Sequence, residues 1–164
     1  MKTRAEIAVD VFNNGFNCAQ AVLTSHCGEY GLSDDVAKKL SCGFGGGMGH
    51  IGEVCGAVSG ALMLIGLQHG QNKTADNDAK EKTYSLIGEY ISKFKKEFGS
   101  INCTELIKYD LGNEAALLQA RDSGIFKELC PLLVKRSVEL VEGGNGAVLK
   151  IYGMGSFWYT SIIL

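Results

Sequence analysis

Six cysteines are the residues of this 164-residue chain with the most distinctive chemistry. A cysteine thiolate binds metal ions and attacks disulfides, so it serves both as a ligand and as a redox group. No two of the six have Cys-x-x-Cys spacing, which argues against a zinc ribbon, a thioredoxin-type motif and the usual ferredoxin signature. No Cys-x-x-Cys-His is present either, so covalent haem is not expected. A site made of these cysteines must therefore be assembled by the fold.

Four of the cysteines lie at predicted helix starts. Cys18 and Cys103 each follow an asparagine, a residue typical of the N-cap. Cys55 falls in the first turn of an apolar helix, and Cys130 precedes a proline at a predicted N-cap. A helix N-terminus carries unpaired N–H groups and a partial positive charge, which favour the thiolate and lower its pKa. These four are therefore the candidate metal ligands, or the candidate members of a dithiol pair.

The other two cysteines, Cys27 and Cys42, lie near predicted helix C-termini, where the thiolate is disfavoured. Free cysteine often behaves as a small buried hydrophobic residue, and this is the common interpretation of any cysteine taken alone. It is the interpretation we adopt for these two. For the other four it is weakened, because all of them occupy the same type of position.

The elements that must bring the cysteines together are predicted to be helices. Capping residues and apolar positions at helical spacing recur along the chain, and proline occurs once. They predict an all-α fold, a compact bundle of about six helices with a glycine-rich loop. Residues 110–124 have only weak helical patterning. Residues 1–142 are expected to form a helical four-cysteine redox domain.

The glycine-rich loop, residues 43–52, precedes the apolar helix that carries Cys55. It contains Gly-x-Gly-x-x-Gly, but it follows a helix rather than a strand, so nucleotide binding is not expected. We expect the loop to supply N–H donors beside the thiols. Gly56, with Gly60 one turn later, is also expected to let another helix approach closely. The candidate cofactor-lining glycines are Gly45, Gly46, Gly47, Gly49 and Gly56.

Two ionisable residues of this segment are weaker candidates. His50 is a possible fifth ligand or proton donor, although a solvated loop residue is the commoner case. Glu53 is a possible proton acceptor for Cys55, although an acidic residue near a helix start is usually there for its effect on the helix.

Composition excludes several other functions. The chain has 16 Lys and Arg against 18 Asp and Glu, without a basic stripe, so nucleic acid is not an expected partner. The longest apolar run, residues 54–67, is shorter than the roughly 20 residues that span a bilayer. The first residues lack the pattern of a signal peptide. We therefore expect a cytoplasmic protein, in a reducing compartment that favours metal or redox chemistry over structural disulfides.

The last segment, residues 143–164, differs in composition from the rest. It has no acidic residue, is rich in glycine and apolar residues, and holds the only tryptophan. It is predicted to be an irregular or hairpin-like tail, or an apolar arm that packs on a second subunit. The second alternative would make the protein a homodimer.

Five segments together resemble the C-GCAxxG-C-C family of redox-active proteins. They are GFNCAQA at 15–21, GFGGGMG at 43–49, CGAVSG at 55–60, GSINC at 99–103 and CP at 130–131. The resemblance implies a helical fold and a redox role. It also implies that the four cysteines of the family correspond to Cys18, Cys55, Cys103 and Cys130.

The same family is similar to the non-haem part of split-Soret cytochromes, which suggests an iron–sulfur cluster. The leading hypothesis is thus electron transfer or redox sensing through a cluster held by the four cysteines, with an unknown protein as redox partner. One alternative is a metal-free dithiol–disulfide oxidoreductase, and another is a structural zinc site. Whether the protein is an enzyme stays open at this point.

Overall fold

The computed structural model describes the backbone of residues 1–145 and the side chains of residues 1–143. Helices dominate this part of the chain, and within it the extended pairing is limited to an antiparallel bridge between Val54 and Asn102. The predicted all-α class is confirmed. The predicted tail begins at residue 143, but residues 143–145 belong to the last helix. The choice between a hairpin-like tail, an irregular tail and a dimer arm falls on residues 146–164, which lie outside the described ones.

The α-helical segments follow one another with short connections. They are α1 (Arg4–Asn13), α2 (Cys18–Thr24), α3 (Asp34–Ser41), α4 (Gly45–Met48), α5 (Gly56–His69), α6 (Asn77–Phe98), α7 (Cys103–Ile107), α8 (Glu114–Ser123), α9 (Ile125–Glu128) and α10 (Cys130–Asn145). Short 3-10 turns, Cys27–Tyr30 and Cys42–Phe44, flank α3. Among the described residues, no helix is both long enough and apolar enough to cross a membrane.

Local capping sets the starts of the early helices, as the sequence predicts. The Thr3 side chain accepts a hydrogen bond from the Glu6 N–H, and the Glu6 carboxylate accepts one from the Thr3 N–H. Asn17 and Gln20 form the same reciprocal pair at the start of α2. This second capping box fixes the first turn of α2, where Cys18 lies.

The weakly patterned stretch 110–124 folds into α8, with α9 directly after it. The Asn113 side chain caps α8 by accepting the N–H of Ala116, and Gly124 ends the helix in the left-handed conformation. These are ordinary start and stop signals. They are hard to recognise in the sequence because α8 buries few apolar side chains between them.

The core is built around α5, which packs against α2, α6 and α10. Two glycines allow its close contact with α2. A Cβ atom at Gly60 would lie 2.8 Å from the Ala19 carbonyl oxygen and 2.9 Å from the Val22 Cβ. A Cβ at Gly56 would lie 2.9 Å from the Phe44 carbonyl oxygen. The predicted bare face of α5 therefore exists, and it seats the helix against the backbone of α2.

We expect Gly60→Ala to lower the free energy of unfolding by about 1–3 kcal/mol, because the added methyl group forces α2 and α5 apart. Gly66→Ala is the matched control on the same helix, since a Cβ there meets open space. It should raise stability by up to about 1 kcal/mol through helix propensity alone. Urea unfolding of both variants measures the difference, and a similar shift in the same direction for the two would contradict the close contact.

Candidate functional site

A cavity of about 180 Å³ lies where several helix starts converge, and the thiol-bearing residues Cys18, Cys55, Cys103 and Cys130 all line it. Each of the four is at most 8% exposed, and each is a free cysteine. Cys27 is buried elsewhere in the core, and Cys42 is exposed at the surface. The structure thus groups the four candidate cysteines and separates the other two from them.

All four cysteines lie at helix starts, although two positions differ by a residue or more from the prediction. Cys18 and Cys103 are the first residues of α2 and α7, directly after their asparagine caps. Cys55 is the residue before α5 rather than part of its first turn. Cys130 is the first residue of α10 rather than its cap, because α9 leads into α10 and the Leu133 N–H already bonds to the Leu129 carbonyl oxygen.

The extended segment before α5 explains the later start of that helix. The Cys55 N–H donates to the Ile101 carbonyl oxygen at 2.8 Å, and the Cys103 N–H donates to the Glu53 carbonyl oxygen at 2.7 Å. These bonds lie on either side of the Val54–Asn102 bridge. They fix Cys55 and Cys103 relative to each other. The Glu53 side chain is exposed and does not line the cavity.

The glycine-rich loop adopts an unusual left-handed turn beside the cavity. Residues 46–50 all have φ between 61° and 69°. The Gly45 carbonyl oxygen accepts the N–H groups of Gly49 and His50, and the Glu53 N–H donates to the Gly47 carbonyl oxygen. Left-handed backbone costs about 1–2 kcal/mol for a residue with a side chain. Three of these five residues are glycines, which adopt this conformation without that cost.

The candidate glycines divide into two groups. Gly46 and Gly56 line the cavity, whereas Gly45, Gly47 and Gly49 are absent from its wall. These three glycines have structural roles. Gly45 makes room for the Asn17 side chain, and Gly47 lies against Glu53 and Cys103. The Gly49 N–H is bonded within the loop. Only Gly46 and Gly56 are therefore placed beside a cofactor in the cavity, whereas Gly45, Gly47 and Gly49 shape the loop.

The rest of the wall is mostly apolar, with Phe12, Ile107, Phe126 and Leu133 contributing side chains. His50, a weaker candidate from the sequence, also lines the cavity. Sequence reasoning missed Arg121, which lies on α8 and lines the same cavity. The sequence shows only that no acidic residue stands three or four positions away to pair with it on its own helix, and this does not place it at the cavity.

Burial dominates the electrostatics of two of the thiols. It raises the pKa of Cys55 to about 11, although the N–H groups of Ala57 and Val58 act in the opposite direction. Burial also raises the pKa of Cys103 to about 12. The expectation that the helix starts would favour these thiolates is therefore wrong for the metal-free protein, because the desolvation cost exceeds the helix effect.

The other two thiols influence each other. The neighbouring Cys130 thiol, together with burial, raises the pKa of Cys18 well above its usual value. In turn, the neighbouring Cys18 thiol lowers the pKa of Cys130. In the metal-free protein, Cys130 is thus the member of the pair that carries the negative charge more readily.

The raised thiol pKa values predict a loss of stability at alkaline pH for the metal-free protein. Above about pH 9 the unfolded chain releases thiol protons that the folded protein still holds at Cys55 and Cys103. Each such group should cost roughly 1.4 kcal/mol per pH unit until the pH reaches its folded pKa. Urea unfolding between pH 8 and pH 10 measures the slope. Cys55→Ala should flatten it and Cys42→Ser should not, and an unchanged slope in both would contradict the assignment.

Within residues 1–143, no group of three or more His, Cys, Asp or Glu side chains is arranged to hold a metal ion. The four cysteines nevertheless line one cavity.

The protein is a helical bundle with a buried four-cysteine cavity beside a glycine-rich loop, and this arrangement indicates the class of redox proteins. Residues 16–143 match the sequence model of the family described as "Putative redox-active protein (C_GCAxxG_C_C)". The match spans most of the chain and includes all four cavity cysteines, so the chain belongs to this family. Searches of curated proteins and of solved structures gave no significant match.

Proposed function

We propose that this protein transfers or senses electrons through an iron–sulfur cluster held by Cys18, Cys55, Cys103 and Cys130. The observation that carries the proposal is the convergence of four buried, free thiols from four helix starts on one cavity. Four cysteine thiolates are the usual ligands of [2Fe–2S] and [4Fe–4S] clusters. When bound, such a cluster would supply one-electron redox chemistry.

The size and the protonation of the site suit this cofactor. An apolar cavity of about 150 Å³ accommodates a benzene-sized group, and this cavity measures about 180 Å³. Metal coordination removes the proton from a thiol outright, so it would overcome the burial that keeps Cys55 and Cys103 protonated in the metal-free protein. Cluster binding should therefore release protons.

A structural zinc site of the same four cysteines differs from a cluster in its geometry and its metal. A zinc ion needs four ligands around one point, whereas in a cluster the cysteines bind different iron atoms, and a metal assay distinguishes the two. The cytoplasm, as a reducing compartment, is the location that this proposal favours.

A metal-free dithiol–disulfide oxidoreductase is the second candidate. The influence of the Cys18 and Cys130 thiols on each other favours it, because the neighbouring Cys18 thiol lowers the pKa of Cys130, and a lowered pKa is a property of an attacking thiol. This candidate gives no role to the other two cavity thiols. It predicts that metal-free protein loses two titratable thiols on oxidation and regains them on reduction.

The experiment is an ultraviolet–visible spectrum of anaerobically purified protein, with iron, sulfide and zinc assayed on the same sample. Broad visible absorbance that bleaches with dithionite, with iron and sulfide in matching amounts, is the expected result. A colourless, metal-free sample with a redox-dependent thiol count would replace the cluster proposal by the dithiol one. Stoichiometric zinc without iron would replace both.

A further inference from the structure

The wall of the cysteine cavity carries charge of one sign only. The described residues of its lining include Arg121 and His50 but no aspartate, glutamate or lysine. Arg121 is the permanently charged side chain among them, since an arginine keeps its proton in proteins. Apart from the four thiols, the ionisable groups of this lining are therefore either neutral or positive.

Packing places Arg121 on the side of the cavity that Cys103 forms. Ala120, the residue before Arg121, is 0% exposed and belongs to a small hydrophobic cluster with Cys103, Ile107 and Leu111. Ala120 is the one buried residue of α8, so this cluster ties α8 to the segment 103–111. The Arg121 side chain itself is exposed, and its charge therefore lies on the solvent side of the wall.

The positive charge of Arg121 is uncompensated within the described part of the chain. The other arginines are paired, Arg4 with Glu29 and Arg136 with Glu97. Arg121 forms neither an ion pair nor a hydrogen bond within residues 1–143. Because no carboxylate cancels its field, an unpaired cation acts with its full charge on a site nearby.

The proposed cluster would make the same cavity anionic. Cysteines bind iron as thiolates, and net charge is one of the properties that set the reduction potential of a cluster. Each electron that the site accepts adds one negative charge. Much of the wall is apolar, with Phe12, Phe126 and Leu133 among its side chains. Negative charge is costly in such surroundings unless a cation compensates for it.

We propose that Arg121 raises the reduction potential of the cluster, because its unpaired positive charge on the cavity wall stabilises the reduced site more than the oxidised one. This inference rests on the proposed function, since it concerns the cluster that the four cysteines would hold. The redox step is the transfer of one electron to the cluster from the partner protein, or from dithionite in the test. No bond forms or breaks in this step, and the site becomes more negative by one charge.

The test is a redox titration of the anaerobically purified full chain, followed by its visible absorbance, for the wild type, Arg121→Gln and Arg121→Lys. The midpoint potential of Arg121→Gln should be more negative than that of the wild type. Arg121→Lys should stay close to the wild type, because it keeps the charge. Since Arg121 is exposed, both variants should fold and hold as much iron as the wild type.

Lys82→Gln is the matched control for the loss of one exposed positive charge. Lys82 is exposed on α6, one turn before Leu86. Leu86 lies beside Ile65, near the end of α5 that is opposite Cys55. The midpoint potential of Lys82→Gln should therefore equal that of the wild type.

Salt supplies a second control, because it screens the charge of an exposed side chain. The Debye length falls from about 30 Å at 0.01 M salt to about 3 Å at 1 M salt. The difference in midpoint potential between the wild type and Arg121→Gln should shrink over this range. A difference caused by a change of structure would persist.

Four results overturn this inference and leave the cluster proposal intact, provided that the wild-type protein is coloured. They are an unchanged midpoint potential in Arg121→Gln, an equal shift in Lys82→Gln, a shift that persists at high salt, and a loss of iron from Arg121→Gln. The last would mean that Arg121 acts on cluster assembly rather than on the potential. A colourless, metal-free wild-type protein overturns the proposed function and this inference with it.

Discussion

The visible absorbance of the anaerobic protein should disappear, or become unstable, when any one cavity cysteine is replaced by serine. The four variants to compare with the wild type are Cys18→Ser, Cys55→Ser, Cys103→Ser and Cys130→Ser. A serine hydroxyl is a harder ligand and is far less acidic than a thiol, so it replaces a thiolate poorly on iron. We expect iron and sulfide per protein to fall by most of their wild-type amounts, as measured by metal assay and by absorbance on freshly purified samples.

Cys42→Ser and Cys27→Ser are the controls for this series. Cys42 is exposed, and its replacement should leave both the absorbance and the stability unchanged. Cys27 is 1% exposed but does not line the cavity, so it tests whether a buried cysteine can be replaced without loss of the centre. Equal sensitivity of all six cysteines would remove the case for a four-cysteine site.

The same variants separate the cluster from dithiol chemistry. A cycling pair requires Cys18 and Cys130 alone, so Cys55→Ser and Cys103→Ser would keep a redox-dependent thiol count under the dithiol hypothesis. Under the cluster hypothesis all four substitutions have the same consequence. A split of the four variants into two sensitive and two insensitive ones would therefore identify the chemistry as disulfide exchange.

Part of this site can be predicted from the sequence because its determinants are local. Asn17 and Asn102 each accept an N–H from the third residue of the helix that follows, and this interaction involves only neighbouring residues. The positions of Cys18 and Cys103 follow from these caps. The close approach at Gly60 is similarly visible, since glycines one turn apart on an apolar helix leave a bare face.

The remainder depends on contacts between distant parts of the chain. The bridge between Val54 and Asn102 joins segments almost fifty residues apart, and no local sequence pattern predicts it. It delays the start of α5 and moves Cys55 out of the first turn. The thiol pKa values depend on burial, and the burial of a side chain is known only once the complete fold is known. Arg121 was missed for the same reason, because its place at the cavity depends on how α8 packs.

Gly47, in the loop beside the cavity, is the position where an added methyl group should disturb the structure most. Gly47 has a φ of 69°, and a Cβ atom there would lie 2.6 Å from the Glu53 backbone nitrogen and 2.8 Å from the Cys103 Cβ. The obstruction is largely backbone, so it cannot be relieved by rotating a side chain. It involves the segment whose hydrogen bond to Cys103 holds that cysteine in place.

Gly47→Ala should therefore lower the free energy of unfolding by about 2–5 kcal/mol, the combined cost of left-handed backbone and of overpacking, and should reduce cluster content by displacing Cys103. Gly43→Ala is the control within the same glycine-rich segment, since its Cβ would meet open space and its φ is not positive. Urea midpoints and iron content measured on both variants decide the matter. If Gly47→Ala matched Gly43→Ala in both quantities, the left-handed turn would not be what positions Cys103, and the glycines of this loop would need another explanation.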